Sequence, residues 1–247
     1  SAKIGLMQGP DGTSEETETR SILFLCGIKH SGKSTLGRRL ADHRGLPFYD
    51  GDDLTLAEAN RMSAANPAGE MVPDAANSAG EDTAPGAANP AGEMVPEVPF
   101  RRARDLYRAV GPEEFKELEA VALERLIEAE GRSPGGSFRD PNLAPRSVVA
   151  LGGGVADNPD ALDLISRSGY LVYLHVDAHI LYERIMRRGT PAFLTTTRPW
   201  EEFEKLYMRR DAAYRSASDV AVELTGLGIA EALKKVDTEL RRHLSGW

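Results

Sequence analysis

Cysteine is nearly absent from this chain. A single residue, Cys26, among 247 excludes an intramolecular disulfide framework and a Cys-rich zinc site, and it fits a reducing compartment. A basic excess is also missing: 30 Lys and Arg stand against 38 Asp and Glu, for a formal net charge of -8. That balance excludes a dedicated nucleic-acid binder, which needs a cationic footprint to displace counterions. It leaves room for an anionic small molecule, because a few cations in a cleft outweigh the global sign. Long apolar runs are lacking too; none approaches the roughly 20 residues of a membrane helix. Residues 1–20 carry Ser, Thr and Glu without the apolar core of a signal peptide. The expectation is a cytoplasmic protein with no membrane and no nucleic-acid partner. Its length suits one globular domain with extra segments, large enough for a core without disulfide staples.

What is present is an alternation of short apolar runs and helical patterns. Residues 1–20 read as an acidic, flexible leader, and order begins at Ser21 with the run Ile22 to Cys26, a candidate strand buried on both faces. Further strands are expected at 147–151, 170–176 and 220–224, with another just before the carboxylates of the stretch 48–53. Helices are expected at 34–43, 113–130, 158–168, 178–188, 200–214 and 229–244. Such alternation predicts an α/β fold with a parallel sheet covered by helices on both faces. The pattern breaks at about 60–99, where the ten residues 64–73 recur identically at 87–96. These units hold almost no large apolar residues, so they read as a low-complexity, disordered insertion in the domain spanning 21–247, with a protein-partner site as the other reading.

The chemistry is concentrated in Gly27-Ile28-Lys29-His30-Ser31-Gly32-Lys33-Ser34-Thr35, a full match to G-x-x-x-x-G-K-[ST] between a buried strand and a helix. Glycines let backbone N–H groups wrap an oxyanion, and the following helix adds its positive N-terminus. Gly27, Ser31, Gly32, Lys33, Ser34 and Thr35 are therefore the candidate nucleotide-binding residues, with Lys33 on the β- and γ-phosphates and Ser34 on Mg²⁺. The loop establishes nucleotide binding and leaves the acceptor open. Just after the second strand, Asp50 and Asp52 are placed to face the γ-phosphate. Alternate residues of an extended segment share a face, so one is expected to hold hydrated Mg²⁺ and the other to accept a hydroxyl proton. An acidic helix cap is the plainer reading of the same residues.

The order of pieces resembles the shikimate kinase family, in the nucleoside-monophosphate-kinase-like branch of P-loop proteins. The phosphate loop is followed by Asp50-x-Asp52, Gly111-x-x-x-Phe115-Lys116, Gly152-Gly153-Gly154, and Arg210-x-x-x-Tyr214 before a last strand. The resemblance covers about 21–58 and 100–245. It implies a three-layer P-loop kinase fold and ATP- and Mg²⁺-dependent phosphorylation of a small anionic polyhydroxy acceptor, the 3-hydroxyl of shikimate. It also implies residue roles: Asp50 with Ser34 on the metal, and Asp52 on the acceptor hydroxyls as the catalytic base beside Lys33. Gly152, Gly153 and Gly154 would offer backbone to the substrate, Arg210 and Lys116 would meet the acceptor carboxylate, and Glu119 would orient the residue at 116. Arg184 is implied as a nucleotide contact.

Three departures accompany the match. Lys116 stands where the family has Arg, keeping the charge without the planar fork. The stretch 188–194 carries Thr190 and Pro191 where a lid Arg falls in the family, leaving Arg187, Arg188 or Arg198 to substitute. The repeat insertion interrupts the start of the substrate-binding helices. Two alternatives therefore stay open: a kinase for a related acceptor such as gluconate, whose family has a similar acidic turn, and a catalytically degenerate nucleotide-binding regulator. His175 and His179 lack a third ligand nearby and are not expected to bind zinc, while Trp200, Phe203 and Cys26 are expected to pack.

Overall fold

The computed structural model describes residues 22–65, 100–131, 144–187, 197–244 and 246–247. The leader at 1–20, most of the insertion and the 188–194 stretch lie outside them. Five strands form a parallel sheet in the order β2-β3-β1-β4-β5. They are β1 (Ile22–Cys26), β2 (Phe48–Asp50), β3 (Ser147–Ala150), β4 (Gly169–His175) and β5 (Val220–Glu223). Ile22 to Cys26 are at most 1% exposed, as a central strand covered on both faces requires. The register pairs Leu23 with Val148 on one side and with Tyr170 on the other.

Because all pairs are parallel, the C-terminal ends of the strands share one edge. There β1 opens into the phosphate loop, β2 ends at Asp50, and β3 runs into Gly152–Gly154. The order reverses around β1, and ligands of open α/β sheets bind outside the strand ends at such a switch point.

The helices are α1 (Lys33–Arg44), α2 (Gly51–Ala65), α3 (Ala103–Gly131), α4 (Pro159–Ser168), α5 (Ala178–Met186), α6 (Pro199–Ala217) and α7 (Ile229–His243), with a 3-10 turn at Val155–Asp157. Two of them depart from expectation. Gly51 begins α2 directly, so Asp52 lies in a first helical turn and not on an extended segment, and residues 60–65, expected to belong to the insertion, continue this helix. The α3 span is two helical stretches: the helix expected at 113–130 is there, and an unexpected one from Ala103 precedes it, the two being separated by the non-helical backbone of Gly111 (φ 84°, ψ 176°). Both stretches pack on α2 through a small second core of Ala59, Leu106 and Leu118. Asn60 and Phe100 close the base of the excursion between these helices. The Asn60 amide donates to the Phe100 carbonyl at 3.0 Å, and the Phe100 N–H donates to Asn60 Oδ1 at 2.8 Å.

The main core surrounds the sheet, and α6 is anchored to it by Phe203 and Tyr214, both fully buried. Phe203 is thus core packing. Trp200 is partly buried beside it and stacks on His179 at 4.2 Å. Burial of a whole aromatic ring gives a direct test: Phe203→Ala should cost about 3–5 kcal/mol of unfolding free energy, measured by urea denaturation.

Candidate active site

The apolar strand β1 carries the chain to Gly27, where the backbone turns through φ 152°. A Cβ there would lie 2.7 Å from Ser31 Oγ and 2.8 Å from the Leu174 carbonyl, so only glycine lets the loop close this tightly over the sheet. His30 (φ 67°) and Gly32 (φ 97°) also adopt left-handed backbone, the alternation that turns successive N–H groups inward into an anion-binding nest. The α1 helix then starts at Lys33.

Lys33 is 8% exposed, and its ammonium donates to the Gly27 carbonyl at 2.8 Å and the Ile28 carbonyl at 3.3 Å. Burial pulls its pKa down to about 8, against the opposing charges of Asp52 and Asp50. The Ser31 hydroxyl is buried with no hydrogen-bond partner among the described residues, an orphan of the kind a bound oxyanion satisfies. Beside the loop lies a cleft of about 480 Å³ lined by His30, Gly32, Lys33, Ser34, Thr35, Arg184 and Arg187. Arg184 is fixed there by donating to the His30 carbonyl at 3.1 Å. All the nucleotide-side residues expected from the sequence therefore meet at one place.

On the other side of the loop, the glycine run after β3 is the floor on which the remaining groups stand. A Cβ on Gly152 would lie 2.9 Å from Glu119 Oε1 and 3.1 Å from Asp52 Oδ1, and one on Gly154 would lie 3.6 Å from an Arg210 terminal nitrogen. Backbone approach this close brings Asp52, Glu119 and Arg210 onto one surface. Asp52 is exposed yet closely surrounded by protein. That burial, followed by the charge of Asp50, raises its pKa while Lys33 and Lys29 oppose the rise. Burial likewise raises Glu119, which is 6% exposed.

Asp50 plays two parts. Its Oδ1 accepts the Asp52 N–H at 3.1 Å, the helix-cap role, and its charge stabilises the Lys33 ammonium. The expectation that Asp50 and Asp52 share a strand face is replaced by this cap, because the strand ends between them. Ser34 and Asp50 supply hard oxygen donors, which suit Mg²⁺; that ion is ordinarily held by one or two protein groups plus phosphate and water. Among the described residues no group of three His, Cys, Asp or Glu is arranged to hold a metal.

The family model described as shikimate kinase matches residues 97–241, more than half of the chain. The chain belongs to the shikimate kinase family. Its members are kinases that phosphorylate a hydroxyl group, with ATP as co-substrate. A shikimate kinase of Psychrobacter sp. is 25% identical over 91% of this chain and 94% of its own. One of Chlamydia pneumoniae is 28% identical over 68% of this chain and 66% of its own, just under two thirds of that relative's length. In fold, the chain is similar to a shikimate kinase of Acinetobacter baumannii solved with shikimate, with a TM-score of 0.58, 22% identity, and coverage of 94% of this chain and 99% of that one.

Within this family site, two expected contacts differ. Lys116 donates to both carboxylate oxygens of Glu113, at 2.9 and 3.2 Å, so its ammonium is turned along α3. Glu119 does not orient Lys116. It accepts from Asn158 Nδ2 at 2.9 Å, because a buried carboxylate needs a donor and the Asn158 amide is the one at hand. Arg210 is placed at the floor as expected, but with three of its donors engaged: Nε and Nη2 to Asp157 Oδ2 at 3.0 and 2.7 Å, and Nη1 to the Gly153 carbonyl at 2.9 Å. Tyr214 donates to the same carbonyl at 3.2 Å.

Asn158 and Asp157 were not singled out from sequence. Asn158 shows there only as a helix start, and it does cap α4 by accepting the Ala161 N–H at 3.2 Å; its amide also donates to the Lys116 carbonyl at 2.9 Å. His175 and His179 have separate settings: Tyr207 lies 2.8 Å from His175 Nε2 and Glu223 contacts its Nδ1, while His179 stacks on Trp200. Cys26 is fully buried, and burial pushes its thiol pKa far up. Of the expected lid substitutes, Arg187 lies beside Glu183 and Arg198 beside Glu201, both largely exposed; Arg188 is outside the described residues.

Two measurements follow from this geometry. Lys33 has a lowered pKa in the free protein, and phosphate charge raises it again on binding. Nucleotide binding should therefore take up a proton near pH 8–9, and the Kd for ATP should rise as pH climbs through about 8. Calorimetry in buffers of different ionisation enthalpy reads both. Asn158→Ala removes a helix cap and leaves Glu119 without its donor, and it should lower unfolding free energy by about 2–4 kcal/mol in urea melts.

Proposed function

We propose that this chain transfers the γ-phosphoryl group of ATP, in the presence of Mg²⁺, to the 3-hydroxyl of shikimate. The observation that carries the reading is the glycine floor, which holds Asp52 and Arg210 on one surface beside the phosphate loop. A hydroxy-carboxylate needs those groups: an acid residue for the hydroxyl and a cation for the carboxylate. The relatives named as shikimate kinases, and the structural neighbour solved with shikimate, support the choice of acceptor.

The roles follow from the residues. Lys33 would leave the loop carbonyls for the β- and γ-phosphates, while Gly27, Ser31, Gly32 and Thr35 shape the nest and Arg184 flanks it. Ser34 and Asp50 would hold Mg²⁺, whose charge would offset that of the transferring group. Asp52 would orient the acceptor hydroxyl and take its proton; a raised pKa makes it a better base than an ordinary carboxylate. Gly152, Gly153 and Gly154 would lie along the acceptor, and Arg210 would meet its carboxylate with the donors it has left. Lys116 would join only after releasing Glu113. The acid partners on Lys116 and Arg210 favour a second reading, in which a related acceptor such as gluconate replaces shikimate or transfer has been lost.

The test is ADP formation from Mg-ATP with and without shikimate, beside gluconate. Strong stimulation by shikimate is expected, with Asp52→Asn lowering kcat by about 10²–10⁴-fold. Tight ATP binding without stimulation by shikimate would reject this acceptor.

A further inference from the structure

Resting on the proposed acceptor chemistry, we infer that Lys29, in the middle of the phosphate loop, is a further side chain that binds the acceptor's carboxylate, beside the partly engaged Arg210. The expected cations are occupied: the Lys116 ammonium by Glu113, and three donors of the Arg210 guanidinium by Asp157 and the Gly153 carbonyl. Lys29 is different. It is exposed, and it has no hydrogen-bond or ion-pair partner among the described residues.

Its position is fixed by the glycine floor. A Cβ on Gly153 would lie 3.2 Å from the Lys29 amide nitrogen and 3.5 Å from the Lys29 Cβ. The lysine therefore rises from the central glycine, with Asp52 and Glu119 over Gly152 and Arg210 over Gly154. Its charge also reaches Asp52, where it is among those opposing the rise in that carboxyl's pKa. An unpaired ammonium so close to the acid that addresses the hydroxyl suits an acceptor carrying a hydroxyl and a carboxylate a few bonds apart.

The test separates charge on the acceptor from effects on ATP. In steady-state assays, Lys29→Met should raise the KM for shikimate about tenfold or more, the loss of one charge-assisted bond. The KM for ATP and kcat should stay within about twofold, because uniform binding of the acceptor is what is lost. Lys29→Arg should restore most of the affinity. For shikimate methyl ester, which lacks the charge, wild type and Lys29→Met should differ by less than about twofold. An unchanged KM for shikimate, an equal rise for the ester, or a rise in the KM for ATP would each overturn the assignment. Calorimetric binding of shikimate and gluconate to both proteins keeps it apart from the transfer reading. If wild type binds a hydroxy-carboxylate through Lys29 but transfers nothing, the transfer reading falls and Lys29 stands. Transfer that is unaffected by Lys29→Met has the reverse meaning, and no binding of either acid by wild type overturns the Lys29 assignment as well.

Discussion

The buried ammonium of Lys33 is the contact around which the site is organised. It donates to the Gly27 and Ile28 carbonyls, on the loop that it will later serve. A loop shaped to receive phosphate turns its N–H groups inward and its carbonyls toward its own base, where they need a donor. Lys33 supplies one. The arrangement costs desolvation, which the fall of its pKa to about 8 records. The carboxylates of Asp52 and Asp50 favour its charged form, Asp52 first among them. Asp52, the acid proposed to address the acceptor, thus also favours the charge of the loop lysine, and the two halves of the site are coupled before any ligand arrives.

Much of this was legible in the sequence because it rests on local signals. A continuous apolar run announces β1, the glycine spacing announces the loop, and Gly45 ends α1 where the helical pattern stops. The misses have equally local causes. Gly111 and Pro112 signal a break, and the backbone does leave the helix at Gly111; the miss is the stretch from Ala103 before it, which is held on α2 by Leu106. Alternation placed Asp50 and Asp52 on one strand face, but a strand of three residues leaves no room for it. Asn158 reads as a cap because that role uses its oxygen and a neighbour three residues away. Its amide, which reaches Glu119 across 39 residues, leaves no periodic trace. Lys29 occupies a motif position where any residue is allowed, so the pattern that identifies the loop is blind to it.

Charge bookkeeping on the glycine floor explains why the departures from the family pattern need not empty the site of function. Asp157 does not simply cancel Arg210. Its second oxygen accepts from Arg209 at 2.9 Å, so one carboxylate is shared between two guanidinium groups and the cluster stays net positive. Sharing also fixes the plane of Arg210, which is 18% exposed and would otherwise lose rotamer freedom when it met a ligand. A carboxylate entering the site would meet an arginine already oriented, with fewer donors to give.

The opposite end of the floor is acidic. Asp52 interacts with Lys33 and Lys29, Asp50 with Lys33 and Glu119 with Arg210, and the two acids nearest Gly152 both have raised pKa values. A nucleotide and an anionic acceptor add further negative charge to this end, which a site with only Lys33 would oppose. Lys29 lies over Gly153 and Arg210, linked through Asp157 to Arg209, over Gly154, so positive charge increases along the floor from Asp52 toward the far end. On the proposed function, that gradient would orient an acceptor with a hydroxyl at one end and a carboxylate at the other. It depends on backbone that carries no side chains of its own, because any Cβ on Gly152 would press into the two acids that define its start.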